Sequence, residues 1–255
     1  MSVFDDEKHY IAKNRVNVTY LEDPFGIANY KGRQKLLFVF QSLGDENAET
    51  DTKKFPWTMV NGFKYLNCRK IYIKDNYGTN GCFYLGMNGK FDVEEAILEF
   101  IRSKIVEYEI LLDNVMMYGN SKGGYAALNF GFQVGNVNIL SAVPVIDLYY
   151  FITKHKTFLS YIMTSNVDEK EKTLYSSKLT NLIKTSYYIP DVCLLTSHND
   201  NLFAENIPNL LEALDLNGCH YNVIYNDEYY ITRHNEVVKN SLNEVYYCIS
   251  KWLVN

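Results

Sequence analysis

Short, uninterrupted apolar runs recur along the chain at 35–40, 69–74, 114–118, 137–143, 192–196 and 221–225. A continuous run, unlike an alternating one, predicts a strand covered on both faces, as in a parallel sheet. Helical periods lie between these runs. Residues 92–108 carry Val93, Ala96, Ile97, Phe100, Ile101 and Ile105 at helical spacing, with Asp92 as the expected N-cap. Further helices are expected over 122–133, 202–216 and 235–253, the last presenting Val237, Val238, Leu242, Val245, Tyr246, Ile249 and Leu253. Strands that alternate with helices imply right-handed crossovers, hence an α/β architecture with a mostly parallel central sheet and helices on both faces.

Two regions break this rhythm. Residues 16–22 alternate, and Asp23-Pro24-Phe25-Gly26 is a turn signal, so antiparallel strands should lead into the parallel sheet. Residues 147–189 hold no strand pattern and read as two or three helices forming a lid over the strand ends. With no repeat, low-complexity tract or linker, residues 1–255 read as one domain.

Composition narrows the function classes. The formal net charge of −5 makes the chain a poor general binder of nucleic acid, which needs a basic surface. Its five cysteines are odd in number and lack C-x-x-C spacing, which points to reduced thiols and away from a disulfide framework or a thiolate zinc site. The histidines also lack ligand spacing, so no metal site is expected. The N-terminus is charged from Asp5 onward and is no secretory leader, and no stretch reaches the ~18 apolar residues of a membrane span. A cytoplasmic protein is expected.

The chemistry centres on Gly119-Asn120-Ser121-Lys122-Gly123, a G-x-S-x-G that directly follows an apolar run and directly precedes a helix. In that context it predicts a sharp turn that exposes a strained serine at the C-terminal edge of the sheet, with small residues two before and two after it to avoid collision. The expected fold is therefore the α/β-hydrolase fold, with Ser121 as nucleophile. The backbone amide of Lys122, over a helix N-terminus, is one expected oxyanion donor. The second should come from the loop after the first core strand, Phe40-Gln41-Ser42-Leu43-Gly44, through the amide of Ser42 or Leu43.

In this fold the acid and then the histidine follow the nucleophile along the chain. Asp200 ends the strand-and-turn Val192-Cys-Leu-Leu-Thr-Ser-His-Asn-Asp200, with helix N-cap as an alternative or coexisting role. His9 precedes the expected fold, His155 lies in the expected lid, His198 shares the turn of Asp200, and His220 opens the last strand at its wrong end. His234 follows the last strand and is the expected base.

At this point a resemblance emerges. Tyr118-Gly-Asn-Ser-Lys-Gly-Gly-Tyr-Ala-Ala-Leu128 resembles the G-x-S-K-G-G elbow of a bacterial group of α/β-hydrolases that includes capsular polysaccharide O-acetyltransferases and the acetyltransferase-like component of the accessory Sec system. Ala142–Tyr150, Lys156–Met163, Ser197-His-Asn-Asp200 and His234-Asn235-Glu236 are similar to further segments of that group, over roughly residues 35–250. The resemblance implies acetyl transfer from acetyl-CoA to a hydroxyl of a surface glycan, with no permanently bound cofactor. A homo-oligomer or a biosynthetic complex stays open.

A cation at a helix N-terminus is disfavoured by the macrodipole, so Lys122 is either a solvated surface lysine or a contact for a phosphate, joined in the second case by Arg233, Lys154 and Lys156, of which the last two could equally be an exposed helix face. Tyr84, with Tyr77 and Phe83 among Gly78, Gly81 and Gly86, is a candidate platform for a sugar ring. Three functions compete: acetyl-CoA-dependent glycan O-acetylation, hydrolysis of carbohydrate or small esters, and a non-catalytic scaffold in polysaccharide or glycoprotein export.

Overall fold

A computed structural model describes residues 7–23, 34–155, 161–164 and 166–255. Eight strands form its sheet: β1 (Lys8–Ile11), β2 (Asn17–Asp23), β3 (Leu36–Phe40), β4 (Arg69–Ile73), β5 (Val115–Asn120), β6 (Asn138–Ala142), β7 (Asp191–Thr196) and β8 (Tyr221–Tyr225). Their order is β1-β2-β4-β3-β5-β6-β7-β8. The pairs β1–β2 and β2–β4 are antiparallel and all the others parallel. Each apolar run is thus a strand, and the alternating N-terminal segment is β2. The turn at Asp23-Pro24-Phe25-Gly26 lies largely outside the described residues.

Over β3, β4, β5 and β6 the runs are buried because both faces of the sheet are covered there, whereas the edge strand β8 has no fully buried residue. Leu36, Phe38 and Phe40 enter one core, with Met117 of β5. Leu37 and Val39 enter the other, with Met116 and Tyr118. On the first face lie α2 (Asp92–Glu107), α3 (Lys122–Val134), α4 (Leu148–Lys154), α5 (Glu169–Thr185) and α6 (Phe203–Asn217). The second face is covered by α7 (His234–Val237), α8 (Leu242–Val254) and a loop segment carrying Val60 and Phe63. Each large apolar side chain fully buried in these cores contributes about 1.5–3 kcal/mol. A short α1 (Asp51–Lys54) sits in the loop between β3 and β4.

Several expectations need correction. The expected helix over 235–253 is two helices: a 3₁₀ turn at Val238–Asn240 and the fully buried Ser241 separate α7 from α8. The Ser241 hydroxyl donates to the Val237 carbonyl at 2.7 Å and accepts from Asn226 Nδ2 at 2.8 Å. Val237 and Val245 face one core across this break, so the apolar period runs on unbroken. Asp92 is the first helical residue of α2 and Phe91 its N-cap, although the Asp92 carboxylate still accepts from the Val93 amide at 3.0 Å. His9 does not precede the fold; it lies in β1 opposite Thr19. Of the segment expected as a lid, residues 156–160 and 165 lie outside the described residues; α5 packs against α3, α4 and α6 on the first face, and α4 reaches the cavity beyond the ends of β3 and β5.

Candidate active site

Ser121 links β5 to α3 with φ 53° and ψ −117°, a conformation that an L-residue adopts only under constraint. Its amide donates to the Ala142 carbonyl on β6 at 2.9 Å, and its carbonyl accepts from Tyr125. The flanking glycines allow this approach. A Cβ on Gly119 would sit 2.1 Å from the Gly123 carbonyl oxygen, and one on Gly123 would sit 2.5 Å from the Phe40 carbonyl oxygen. The elbow is therefore pressed against itself and against the end of β3.

Beyond the ends of β7 and β8, two side chains converge on this serine. His234 Nε2 lies 2.8 Å from Ser121 Oγ, and His234 Nδ1 lies 2.8 Å from Asp200 Oδ2. Asp200 is nearly buried and His234 largely so, with side-chain exposures of 3% and 18%. A carboxylate on Nδ1 keeps the proton there and leaves Nε2 bare, the tautomer able to accept the serine proton. Asp200 also braces its own turn, its Oδ1 accepting from the Leu202 amide at 2.8 Å. The histidine is held at the start of α7, where its amide donates to Asn201 Oδ1 at 3.0 Å. His198 belongs elsewhere: its Nδ1 pairs with Asp227 at 2.8 Å and its ring stacks on Tyr225.

Ser121 and His234 open into a cavity of about 980 Å³, bordered by Ser42, Leu43 and Gly44, by Thr58 and Met59, and by Tyr150, Phe151, Lys154 and His155 of α4 and its end. Asn201, Leu202, Lys239 and Leu242 also border it. His155 Nδ1 pairs with Glu46 at 2.7 Å, joining the end of α4 to the loop after β3. Val143, another wall residue, has φ 40°, an outlier for a β-branched side chain.

No protein-family model matches the sequence, and no curated protein sequence does either. Solved structures do match. The capsule O-acetyltransferase of Neisseria meningitidis serogroup A has a TM-score of 0.71 over 96% of this chain and 94% of its own, at 16% identity. The Glycosylation Associate Protein (Gap123) complex from Streptococcus agalactiae gives 0.72 over 95% of this chain and 46% of the matched one, also at 16% identity. An S-formylglutathione hydrolase from Agrobacterium tumefaciens gives 0.65 over 96% of this chain and 94% of its own, at 12% identity. The chain has the α/β-hydrolase fold.

Within this α/β-hydrolase fold, several side chains expected at the site lie elsewhere. The Lys122 side chain is only 1% exposed and pairs with the fully buried Asp75 at 2.9 Å, so it faces the interior and offers nothing to a phosphate in the cavity. Its backbone amide remains at the first turn of α3, beneath the serine. The Ser42 amide is taken by Thr58 Oγ1 at 2.8 Å, and the Ser42 hydroxyl donates to the Asn120 carbonyl at 3.0 Å. Ser42 thus ties its loop to the end of β5. That leaves Leu43, whose amide has no acceptor among the described residues, as the second oxyanion donor candidate.

Tyr84 is fully buried, with its hydroxyl donating to the Gln41 carbonyl at 2.9 Å, and cannot stack on a sugar. Tyr77 is committed to the Asn17 carbonyl at 2.7 Å. Arg233 is exposed at the N-cap of α7 and does not border the cavity. Lys154 does border it, with its ammonium over the Tyr150 ring. Lys156 lies outside the described residues. Lys239 on the cavity wall was not expected from the sequence, nor were Asp75, Thr58 and the His155–Glu46 pair. The local pattern around each of them is unremarkable, and only the tertiary fold gives it a partner.

Proposed function

We propose that this protein is a serine acyltransferase that O-acetylates a hydroxyl of a bacterial surface polysaccharide from acetyl-CoA through an acetyl-Ser121 intermediate. The observation that carries the reading is the Ser121–His234–Asp200 relay with 2.8 Å at both links. His234 Nε2 accepts the Ser121 proton as Oγ attacks the thioester carbonyl. The amides of Lys122 and Leu43 receive the oxyanion, where one such donor is worth about 3–4 kcal/mol in the transition state. His234 then passes its proton to the departing CoA sulfur and later takes one from the acceptor hydroxyl as it attacks the acetyl-enzyme, returning that proton to Ser121 Oγ as the acyl–serine bond breaks. Asp200 holds the imidazole in register and stabilises the imidazolium.

The choice of donor and acceptor draws on the fold neighbours. One is a capsule O-acetyltransferase, and a histidine-to-alanine variant of it was solved with CoA. Lys154 and Lys239 at the cavity border supply positive charge of the kind that CoA phosphates need. An ester hydrolase is the second reading, favoured by the hydrolase neighbour and by the fact that the same relay can activate water. A scaffold has no use for a serine held strained against an oriented histidine.

The deciding experiment incubates wild type and Ser121→Ala with acetyl-CoA, following free thiol and intact mass. Thiol release or an acetyl adduct that depends on Ser121 supports the transferase. Cleavage of a simple aryl acetate by wild type alone, with acetyl-CoA untouched, supports the esterase. Equal activity of both proteins refutes the Ser121 assignment.

A further inference from the structure

The fold buries an ion pair on the residue that directly follows Ser121. Lys122 and Asp75 are 1% and 0% exposed, with Nζ and Oδ2 2.9 Å apart. The Asp75 carboxylate also accepts from the Cys82 amide at 2.9 Å and the Tyr84 amide at 3.4 Å. The backbone amide of Asp75 donates to Gln41 Oε1 at 2.8 Å, and the Tyr84 hydroxyl closes on the Gln41 carbonyl at 2.9 Å. The Tyr84 ring also lies 5.6 Å from Lys122 Nζ. Gly81, at φ +95°, lets the loop wrap this pair: a Cβ there would stand 2.6 Å from Asp75 Oδ2 and 2.8 Å from Lys122 Nζ.

Burying two charges is costly, and an apolar pair of similar volume is often as stable or more so. Stability is therefore a weak reason for this arrangement, whereas its connections suggest another. Lys122 carries one oxyanion amide on its backbone, and Gln41 stands two residues before Leu43, which carries the other. Asp75 reaches both, gripping the Lys122 side chain with its carboxylate and the Gln41 side chain with its amide. We propose that Lys122, Asp75 and Gln41 are positioning residues that hold the two oxyanion amides at a fixed separation. The inference rests on Ser121 being the nucleophile. It predicts that loosening the bridge slows attack without weakening ground-state binding, because the amides act where charge develops.

The test uses p-nitrophenyl acetate turnover, the rate of Ser121 labelling by a fluorophosphonate, and thermal melting. Wild type is compared with Lys122→Met, the double variant Lys122→Met/Asp75→Leu, and Tyr84→Phe, which keeps the ring but frees the Gln41 carbonyl. Losing an oxyanion donor outright costs about 10²–10³-fold, so a displaced one should cost about tenfold or more in kcat, with KM nearly constant. The double variant should recover melting temperature over Lys122→Met, because no lone charge stays buried, but not kcat. Tyr84→Phe should show a smaller loss in kcat and in labelling. Return of kcat together with stability in the double variant would overturn the proposal, since charge balance alone would then be the role of the pair. So would unchanged labelling in Lys122→Met and Tyr84→Phe. If wild type itself is labelled no faster than Ser121→Ala, the nucleophile assignment fails first, an outcome distinct from failure of the bridge.

Discussion

The serine at the elbow is held by steric pressure from both sides, and this makes its surroundings intolerant of added volume. Gly123→Ala should destabilise the fold by about 2–4 kcal/mol, since its Cβ meets backbone, which cannot rotate away. Chemical denaturation against wild type measures this, and a loss under 1 kcal/mol would mean that β3 can retreat. On the reading proposed above, Asp200→Asn keeps the shape of the side chain but favours the wrong imidazole tautomer, so turnover of p-nitrophenyl acetate should fall about 10³–10⁴-fold with little change in melting. That Ser121, Asp200 and His234 come together could be read from the chain because each follows a strand and their order along the sheet is set by the fold. The side chain of Lys122 could not. Its partner is 47 residues away, and nothing in the Gly-Asn-Ser-Lys-Gly-Gly string tells a buried lysine from one facing a phosphate. Ser42 was misjudged for a similar reason, as Thr58 lies in a loop with no pattern of its own.

Among the elements, the central strands were legible because covering both faces leaves a run of apolar residues that no amphipathic helix produces. β1 left no such mark: three of its four residues are exposed. The boundary between α7 and α8 was hidden because both halves feed one core, and the break depends on a polar cluster. Ser241→Ala would leave the Asn226 amide short of a buried acceptor and should cost about 1–3 kcal/mol in the melting equilibrium. The edge of the sheet has its own electrostatic dependence. Glu22 on β2 receives Lys8, Arg69 and the Tyr108 hydroxyl, with Lys104 nearby. Burial alone would raise its pKa, but the hydrogen bonds from Tyr108 and Lys8 and the charges of Lys104 and Lys8 outweigh it, leaving the carboxyl below its ordinary value of 4.5. A group depressed in the folded state stabilises above its unfolded value and loses that contribution as pH falls through the folded one. Glu22→Gln should therefore lower the melting temperature at pH 7 and narrow its gap from wild type as pH drops below about 4.5. A gap that stays constant with pH would remove the charge from the explanation.

At the scale of the whole molecule, loops from the C-terminal ends of β3, β5, β7 and β8 meet α4 around one cavity, and on the reading proposed above the fate of the acetyl-enzyme depends on how well that ring excludes water. Transfer and hydrolysis share every step up to the acyl-serine, so the relay cannot choose between them. The walls can. α4 is anchored to the first core by Leu148, Phe151 and Ile152, and its far end is tied across to the loop after β3 by the His155–Glu46 pair. Phe151 stacks on His155 at 4.3 Å between ring centroids, so one face of the imidazole rests on an apolar base while the pair stays partly exposed. Cutting this tie should leave the triad intact while widening the entrance. On the reading proposed above, Glu46→Ala is expected to acylate at the wild-type rate but to lose the acetyl group from Ser121 several-fold faster when no acceptor is present. Intact-mass spectrometry after a brief pulse of acetyl-CoA and rapid removal of excess donor gives the half-life directly. A shorter half-life with unchanged acylation assigns water exclusion to the contact between α4 and the β3 loop. Equal half-lives would place the barrier to water deeper, among the residues that touch Ser121 itself.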